Sequence, residues 1–386
     1  MSAFVASDAA TVREAVREGE PLVPVGGGTH SATVPGPDGP VRALDVSGLT
    51  GVVDYDPAEL TITVRPGTPL AEIDALLAAN GQHLPFDPPR LGEGATVGGA
   101  VAAGVTGPSG FAAGIRDFVV GVRFIDGTGR LAMSGGRVVK NAAGFDLPKL
   151  MVGSLGRLGV ITELSLKVFP RPEATATVRF PTVGLPAGLA AVAALARAPI
   201  PVTALDLAPT GTVTARLSGV DGPKSADIER FSAHQHGGIG GRAERLAGLV
   251  EPGGAALEDE ARHWDEGRRF AWVGEDARLV VVPLAPRQVV ALDADLERHG
   301  ARRRYGLAAN VAWVAWPDAA PLADLSELLA GQAMSGVVLT GSSLVGRSPS
   351  DPALDGPLIG AATGGAFGRR IAGALDPAGV FAGGAR

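Results

Sequence analysis

Two glycine-rich segments contain the residues whose types and spacing are best suited to binding a large anion. The first reads Val25-Gly26-Gly27-Gly28-Thr29-His30 and follows a short apolar stretch. Residues without a β-carbon let several backbone N–H groups converge on one anion, as a diphosphate requires. Taken alone, three glycines more often form a tight turn. Ser31 at the sixth position also breaks the G-x-G-x-x-G pattern, which disfavours a nicotinamide-binding Rossmann motif.

The second segment covers residues 94–99, Gly-Ala-Thr-Val-Gly-Gly, about 70 residues further along the chain. Small residues at 100–103 predict a helix, and a helix N-terminus at this point would favour a phosphate group. A third loop, residues 107–110, leads to Arg116 and Asp117. Two phosphate-suited loops this far apart indicate a large cofactor that lies extended through the domain.

The histidines of the chain are weaker candidates for a site. His234 and His236 are two positions apart and no carboxylate follows in step, which favours a surface loop over a metal site. His263 lies on a predicted amphipathic helix over residues 257–270, where a structural histidine is the favoured interpretation. We therefore expect no metal in this protein.

Arg302, Arg303 and Arg304 form one compact basic run. A solvated face or a helix end is favoured over a clamp for a carboxylate substrate or an acidic partner subunit. Trp313 and Trp316 flank a strand-like run, which is more typical of a core or a subunit interface than of flavin stacking.

Composition excludes several classes of function. The chain has 386 residues, 34 basic and 40 acidic side chains and a formal net charge of −6, which argues against binding nucleic acid or anionic membranes through bulk charge. It has no cysteine, which excludes disulfides, thiolate metal sites, cysteine-ligated iron–sulfur clusters and a thiol nucleophile. The most apolar stretch, residues 185–202, is interrupted by prolines and by Arg197. Its uninterrupted apolar runs are therefore shorter than the ~20 residues that a membrane span needs. Since the N-terminus does not resemble a signal peptide, we expect a cytoplasmic protein, with any membrane contact peripheral and at the inner face.

The elements that must position the glycine loops alternate between helix and strand. Helices are predicted at residues 8–18, 69–80 and 368–374, and strands at 21–25, 51–55, 60–65, 118–125, 131–133 and 160–168. Pro170 and Pro172 mark a boundary, because glycine loops become sparse beyond them. We expect one domain over residues 1–171, a second over 172–345, and a linker with a C-terminal segment over 346–386.

The order of motifs between residues 88 and 170 resembles a known family. It contains GATVGGAVAAGVTGPSG, KNAAGFDLPKL and GSLGRLGVITE, and DPAGVFAGG closes the chain. These segments resemble the PCMH-type FAD-binding domain of the vanillyl-alcohol oxidase and para-cresol methylhydroxylase superfamily, and within it the flavin-binding E subunits of bacterial glycolate oxidases. The resemblance implies an α+β fold: a two-subdomain FAD-binding domain, a smaller α+β cap domain that binds substrate or a subunit, and a C-terminal segment that returns to the FAD-binding domain.

The resemblance also implies which residues bind FAD. Residues 25–30 would wrap the diphosphate, and Thr96, Gly98 and Gly99 would line the diphosphate and ribityl chain. The flavin would be bordered by Ser109, Gly110, Arg116 and Asp117. Gly159 and Ile161 would offer backbone contacts, and Asn141 and Phe145 are weaker candidates. The full predicted set is Val25, Gly26, Gly27, Gly28, Thr29, His30, Pro88, Gly94, Thr96, Gly98, Gly99, Gly104, Ser109, Gly110, Arg116, Asp117, Gly159, Val160 and Ile161.

Departures from the family pattern restrict the expected chemistry. Some relatives bind flavin covalently through a histidine where this chain has Thr29, so we expect non-covalent FAD, with His30 near the phosphates. Val25 stands where many relatives have arginine, and Ala382 replaces the usual asparagine of the closing motif. The histidine-rich G-H-x-G-D-G-N motif of metal-dependent 2-hydroxy-acid dehydrogenases is absent from the sequence, and no catalytic residue is assigned.

Three functions are compatible with this pattern. The first is the FAD-binding subunit of a glycolate oxidase-type complex, which oxidises a 2-hydroxy acid to a 2-oxo acid together with a second FAD-domain subunit and an iron–sulfur subunit. The second is a self-sufficient FAD-dependent oxidoreductase that acts on the CH–OH group of an alcohol or hydroxy acid. The third is a non-catalytic assembly subunit that holds flavin. Because resemblance in fold does not separate them, all three stay open at this point.

Overall fold

The computed structural model describes residues 4–29, 41–89, 94–136, 146–219, 239–251, 253–339, 358–362 and 365–381. These residues form two compact units. Unit 1 holds the described residues within 1–106, 114–170 and 321–386, and unit 2 those within 107–113 and 171–320. The predicted mixture of helix and sheet is confirmed. Residues 321–339 belong to unit 1 by this division, whereas the sequence analysis assigns 321–345 to the second domain.

The described helices and strands are as follows. The helices are α1 (Ala9–Arg17), α2 (Leu70–Ala79), α3 (Val97–Ala103), α4 (Ile115–Phe118), α5 (Leu147–Met151), α6 (Gly184–Leu195), α7 (Ile239–Ala247), α8 (Glu260–Arg269), α9 (Val289–Arg298), α10 (Leu322–Gly331) and α11 (Gly365–Leu375). The strands are β1 (Phe4–Val5), β2 (Leu22–Val25), β3 (Arg42–Asp45), β4 (Val52–Asp56), β5 (Thr61–Val64), β6 (Gln82–His83), β7 (Val119–Ile125), β8 (Leu131–Gly135), β9 (Val160–Lys167), β10 (Phe169–Pro170), β11 (Ala174–Phe180), β12 (Val202–Leu207), β13 (Val213–Gly219), β14 (Ala255–Ala256), β15 (Ala277–Pro283), β16 (Arg302–Gly306), β17 (Val311–Pro317), β18 (Ser335–Val338) and β19 (Leu358–Gly360). Two 3₁₀ turns cover Pro108–Phe111 and Pro286–Gln288.

Unit 1 is built on two main sheets. In the first, β3 lies between β1 and β2 and pairs with both in parallel. In the second, the strands follow the order β4-β5-β9-β7-β8, and every neighbouring pair is antiparallel. Strands β6 and β10 form a further antiparallel pair, and so do β18 and β19. The glycine-rich loops follow β2 and precede α3, so this unit positions them.

Local signals explain where the helices of unit 1 begin and end. The Asp8 side chain accepts a hydrogen bond from the Thr11 N–H at 2.8 Å and so caps α1. The Thr96 side chain caps α3 in the same way. Helix α3 ends at Gly104, whose φ of +67° lies in the left-handed region that favours glycine. Small polar residues and glycines therefore set the limits of the helix that follows the second glycine-rich segment.

The C-terminal segment packs into the core of unit 1. Val380 and Phe381 belong to a buried apolar cluster with Leu22, Ile125 and Val160, among others. Leu22 donates its N–H to the Val380 carbonyl at 2.7 Å. The Asp376 carboxylate fixes the turn before this contact, because it accepts the N–H groups of Val380 and Phe381, each at 2.8 Å. The end of the described chain thus supports the strand that leads into the first glycine-rich loop.

Unit 2 contains an antiparallel sheet with two different faces. Its strands follow the order β14-β11-β13-β12-β16-β17-β15, and side chains alternate between the faces along each strand. One face carries buried apolar residues such as Phe180, Leu207 and Val213, which are at most 1% exposed. Helices α6 and α9 contact strands of this sheet, at β12 and at β16 respectively. On β11, β12, β13 and β16 the other face carries charged and hydroxyl side chains, among them Thr177, Asp206, Arg216 and Arg304, and we call it the polar face. On β17 the same side of the sheet carries Trp313, which pairs with Arg304.

Candidate functional site

The first glycine-rich loop begins where β2 ends at Val25. The Val25 carbonyl accepts the Val46 N–H at 2.8 Å, which holds the start of the loop on the sheet. Gly27 and Gly28 are exposed. Gly28 has a φ of +67°, and a Cβ placed on it would meet none of the described residues within 4 Å. Exposed backbone of this kind is what an anion-binding loop requires.

The structure brings the two glycine-rich segments into contact. A Cβ on Gly27 would lie 1.6 Å from the Gly94 carbonyl oxygen, and one on Gly26 would lie 2.6 Å from Thr96 Oγ1. Separations below 3.0 Å are essentially never seen for real Cβ atoms. Only glycine at positions 26 and 27 allows this approach, so these residues and the 94–96 segment form one surface, which we call the glycine cradle.

The residues after Thr96 have partners within the protein. Thr96 Oγ1 accepts the Gly99 N–H at 3.3 Å. The N–H of Val97 donates to the Thr68 carbonyl at 3.0 Å, and that of Gly98 donates to the Pro66 carbonyl at 2.8 Å. A Cβ on Gly98 would lie 2.5 Å from Pro66 Cβ, so the glycine permits close packing. The Thr96 side chain and Gly98 thus support the shape of the cradle.

Further predicted residues lie in closely packed positions of unit 1. Pro88 is buried. A Cβ on Gly104 would lie 2.8 Å from Gly153 Cα, and one on Gly159 would lie 2.6 Å from the Phe124 ring. Val160 is 1% exposed and Ile161 is 7% exposed. Since the side chains at 160 and 161 belong to the core, any cofactor contact there would come from the backbone.

The third predicted group is divided between the two units. The 3₁₀ turn Pro108–Phe111, with Ser109 and Gly110, belongs to unit 2. Arg116 and Asp117 belong to unit 1, where both are exposed and Asp117 Oδ2 accepts the Gly114 N–H at 3.0 Å. Ser109 Oγ accepts a hydrogen bond from Arg216 Nη2 at 2.5 Å. The turn predicted to border the flavin is therefore attached to the polar face of unit 2.

On the polar face, three adjacent strands place Arg216, Asp206 and Arg304 along a diagonal. Arg216 on β13 pairs with Ala204 of β12, and Leu207 of β12 pairs with Tyr305 of β16. Asp206 therefore lies midway between the level of Arg216 and that of Arg304, and all three share the face opposite to Leu207. Diagonal neighbours on a sheet are roughly 7–8 Å apart between their Cα atoms, within reach of arginine side chains.

Aromatic side chains lie over both arginines of this diagonal. The Arg216 guanidinium carbon is 4.9 Å from the centre of the Trp264 ring, and that of Arg304 is 5.2 Å from the centre of the Trp272 ring. Such cation–π contacts favour the charged form of arginine at partly buried sites. Trp264 is itself held by a 2.9 Å hydrogen bond from Nε1 to Thr177 Oγ1. The positive charges are thus fixed in place on the polar face.

Asp206 of the polar face and His263 of α8 have shifted pKa values. Burial raises the pKa of Asp206 to about 6, although Arg304 and Arg216 both act to lower it. Burial lowers the pKa of His263, and the charges of Arg179 and Arg304 lower it further against an opposing effect of Glu266. At neutral pH the polar face therefore combines arginine charges with a carboxyl group whose pKa is about 6, and His263 of α8 is neutral.

The basic run 302–304 forms strand β16, and neither a helix end nor a uniformly solvated face. Because side chains alternate along a strand, Arg303 points to the face that carries Tyr305, whereas Arg302 and Arg304 point to the polar face. Arg303 Nε and Nη2 bind the two oxygens of Asp293, each at 2.7 Å. Only Arg304 of this run faces Asp206 and Trp272.

Sequence analysis missed Asp206 and Arg216. A signal for Arg216 exists in Val213–Gly219, where the polar residues Thr214, Arg216 and Ser218 alternate with apolar ones. Asp206 has a weaker signal, because the pairing of β12 with β13 shifts between Val202 and Ala204. That irregularity breaks the alternation from which its face could be predicted.

Several predicted residues lie outside the described part of the chain. They are His30, Asn141, Phe145, His234, His236 and Ala382. Within the described residues, no group of three or more His, Cys, Asp or Glu side chains could hold a metal ion. In the same part of the chain, no helix combines the length and the hydropathy that crossing a bilayer requires.

The N-terminal region is similar to a known family and to named proteins. Residues 6–134 match the family described as FAD binding domain. Glycolate oxidase subunit GlcE of Escherichia coli (strain K12) is 41% identical over 228 residues, which cover 59% of this chain and 64% of that protein. Glycolate oxidase subunit GlcD of Bacillus subtilis (strain 168) is 34% identical over 161 residues, 41% of this chain and 34% of that protein. The matches thus span less than two thirds of the length of each of these relatives.

Among solved structures, an alkyldihydroxyacetonephosphate synthase superposes with a TM-score of 0.60 and 14% identity. The match covers 98% of this chain and 74% of that one. At this level of identity the likeness shows a shared fold and nothing more. It agrees with the mixed helix and sheet architecture described above.

Proposed function

We propose that this chain, whose N-terminal region is an FAD binding domain of the PCMH type, is an FAD-binding subunit of a complex that oxidises 2-hydroxy acids. The observation that supports this most strongly is the 41% identity to glycolate oxidase subunit GlcE over 228 residues. That stretch is longer than the 129 residues, 6–134, that match the FAD binding domain. The similarity therefore extends into residues beyond the cofactor domain.

The glycine cradle is the proposed site for the FAD diphosphate. Gly27 and Gly28 offer exposed backbone there for contact with an anion. When bound, FAD would supply the acceptor for a hydride from a carbon that bears a hydroxyl group. The protein itself must hold the cofactor, orient the hydroxy acid and exclude water. We propose that unit 2 is the cap that supplies the contacts to substrate.

The proposed complex contains a second FAD-domain subunit and an iron–sulfur subunit. Because the sequence contains no cysteine, a cysteine-ligated cluster would belong to a partner chain. We propose that the complex works in the cytoplasm or at the inner face of the membrane, with this chain attached to it through its partners.

Purification of the chain alone and together with its genomic neighbours tests this function. We expect the isolated chain to be yellow with FAD but not to reduce a dye with glycolate. Dye reduction should appear when the partner subunits are added. Steady dye reduction by the isolated chain would contradict the subunit role and favour a self-sufficient oxidoreductase.

Acid precipitation of the purified protein tests whether the flavin is covalently bound. It should release all of the flavin into the supernatant, since Thr29 stands where covalent relatives have histidine. Flavin that stays in the pellet would contradict non-covalent binding.

A further inference from the structure

We propose that the polar face of unit 2 binds a small carboxylate between Arg216 and Arg304, with Asp206 beside the bound anion. This inference rests on the proposed function, because it assigns the carboxylate of the 2-hydroxy-acid substrate to this subunit. From sequence, a solvated face or a helix end was favoured for the 302–304 run over a clamp for a carboxylate substrate.

The placement of charge on the polar face supports this site. Arg216, Asp206 and Arg304 come from three adjacent strands and lie on one diagonal, with Asp206 in the middle. Two guanidinium groups on either side of a short acidic residue leave a net positive charge between the outer strands. A carboxylate is recognised best by the planar donor groups of arginine, which can each offer two N–H groups.

Arg216 and Arg304 are both held in position by neighbouring side chains. Arg216 is oriented by Ser109 Oγ at 2.5 Å and by the Trp264 ring, and it is half-buried. Arg304 lies beside Trp272 and is exposed. A ligand can therefore approach from the Arg304 side while Arg216 provides the inner contact. Fixed donors lose less conformational entropy when they bind a ligand.

The turn that carries Ser109 relates the polar face to the expected position of the flavin. Ser109, which orients Arg216, lies in the turn that is expected to border the flavin by family resemblance. The 3₁₀ turn that carries Ser109 contacts β12, the strand of Asp206. The groups that would hold a substrate are thus joined by hydrogen bond and packing to the segment expected beside the flavin ring.

Charge at Asp206 makes the proposed binding depend on pH. The groups that act on Asp206 are Arg304 and Arg216, and burial outweighs both, so that its pKa is about 6. A carboxylate ligand would be repelled by ionised Asp206 and not by the neutral acid. We therefore expect binding to weaken as the pH rises through about 6.

Calorimetric titration of the FAD-loaded full-length chain with oxamate, a redox-inert carboxylate, tests the proposal without turnover. We expect millimolar or tighter binding to the wild type, and Arg216→Gln and Arg304→Gln should each weaken it roughly tenfold or more. Arg298→Gln, whose exposed side chain pairs with Asp295 on α9, should bind like the wild type and is the matched control. Asp206→Asn should remove the loss of affinity between about pH 5 and pH 8.

The outcomes separate this proposal from the proposed function. Equal oxamate affinity of Arg304→Gln and wild type would overturn the site, and this variant keeps the test valid if Arg216→Gln fails to fold, since Arg304 is exposed. Absence of oxamate binding to the wild type would also overturn it. If oxamate binds through the arginines while the assembled complex does not oxidise glycolate, the site stands and the proposed function fails. If the complex oxidises glycolate and neither arginine variant raises the KM, the function stands and the site is wrong.

Discussion

The glycine cradle of unit 1 consists of backbone, whereas the polar face of unit 2 consists of charged and hydroxyl side chains. In the cradle, Gly26 and Gly27 act through the side chains that they lack, because a Cβ on either would collide with the neighbouring segment. On the polar face, Arg216, Asp206 and Arg304 act through charges that three strands bring together. The comparison teaches that a cofactor site can be built from backbone within short segments, whereas a side-chain site depends on strand register.

The two regions should therefore fail in different ways when they are altered. Changes in the cradle are expected to affect FAD affinity, and changes in unit 2 are expected to affect stability, pH dependence or ligand binding. Each variant below either supports this division or breaks it.

The largest expected effect is on the stability of unit 2 when Arg303 is replaced by methionine. The side chains of Arg303 and Asp293 are only 10% and 14% exposed, and the pair is bidentate. Removal of one partner leaves a buried charge uncompensated, so the free energy of unfolding should fall by about 3–5 kcal/mol. Urea unfolding followed by circular dichroism measures this. Arg298→Met, in an exposed pair with Asp295, should cost less than about 1 kcal/mol. The division is broken if Arg303→Met abolishes FAD binding in a chain that stays folded.

Gly27→Val should weaken FAD binding roughly 100-fold, or about 2.7 kcal/mol. Its Cβ would lie 1.6 Å from the Gly94 carbonyl oxygen, so the two segments of the cradle must move apart. Titration of apoprotein with FAD, followed by flavin fluorescence, measures the affinity. Gly81→Ala is the control, because a Cβ on Gly81, whose φ is +65°, meets none of the described residues within 4 Å. It should lose about 1 kcal/mol of stability and keep its FAD affinity. Equal affinities of the two variants would remove the cradle from the cofactor site.

Asp206→Asn should change how stability depends on pH. The pKa of Asp206 is raised to about 6 in the folded state from an ordinary value of 3.8. The folded protein therefore binds more protons than the unfolded chain between these values, so the wild type loses stability as the pH rises from about 4 to about 6. The variant lacks this loss and should be more stable than the wild type by about 2–3 kcal/mol at pH 7.5, but not at pH 4. Urea unfolding at both values measures it, and parallel pH profiles would contradict the buried carboxyl.

Thr96→Ala should have the smallest effect. Loss of the N-cap of α3 should cost about 1 kcal/mol in thermal or urea unfolding. Thr96→Ser keeps the hydroxyl that accepts the Gly99 N–H and should restore most of this stability. A loss of FAD affinity in Thr96→Ala as large as that of Gly27→Val would sharpen the comparison, since a side chain would then be part of the cradle's contact with the cofactor.

The same difference explains what could be predicted from sequence. The cradle was predictable because Gly26, Gly27 and Gly94 lie in short motifs, and family resemblance supplied their expected role. The predicted cofactor is confirmed by the match of residues 6–134 to an FAD binding domain. The helix caps Asp8 and Thr96 also depend on residues within one turn.

The polar face was not predictable because its residues are far apart in sequence. Arg216 and Ser109 are separated by 107 positions, and only the folded chain places them in contact. The run 302–304 looked like one basic patch, yet the alternation of β16 separates Arg303 from Arg304. Without the register of the strands, neither pairing could be derived from the residues themselves.

Hydrogen–deuterium exchange of the wild-type chain with and without FAD tests the central claim most directly. We predict that FAD slows exchange in peptides that cover residues 25–29 and 94–99. Peptides that cover strands β15 and β17 of unit 2 should exchange at the same rate with and without FAD. Protection that omits both segments of the glycine cradle, in a protein that demonstrably binds FAD, would contradict the account.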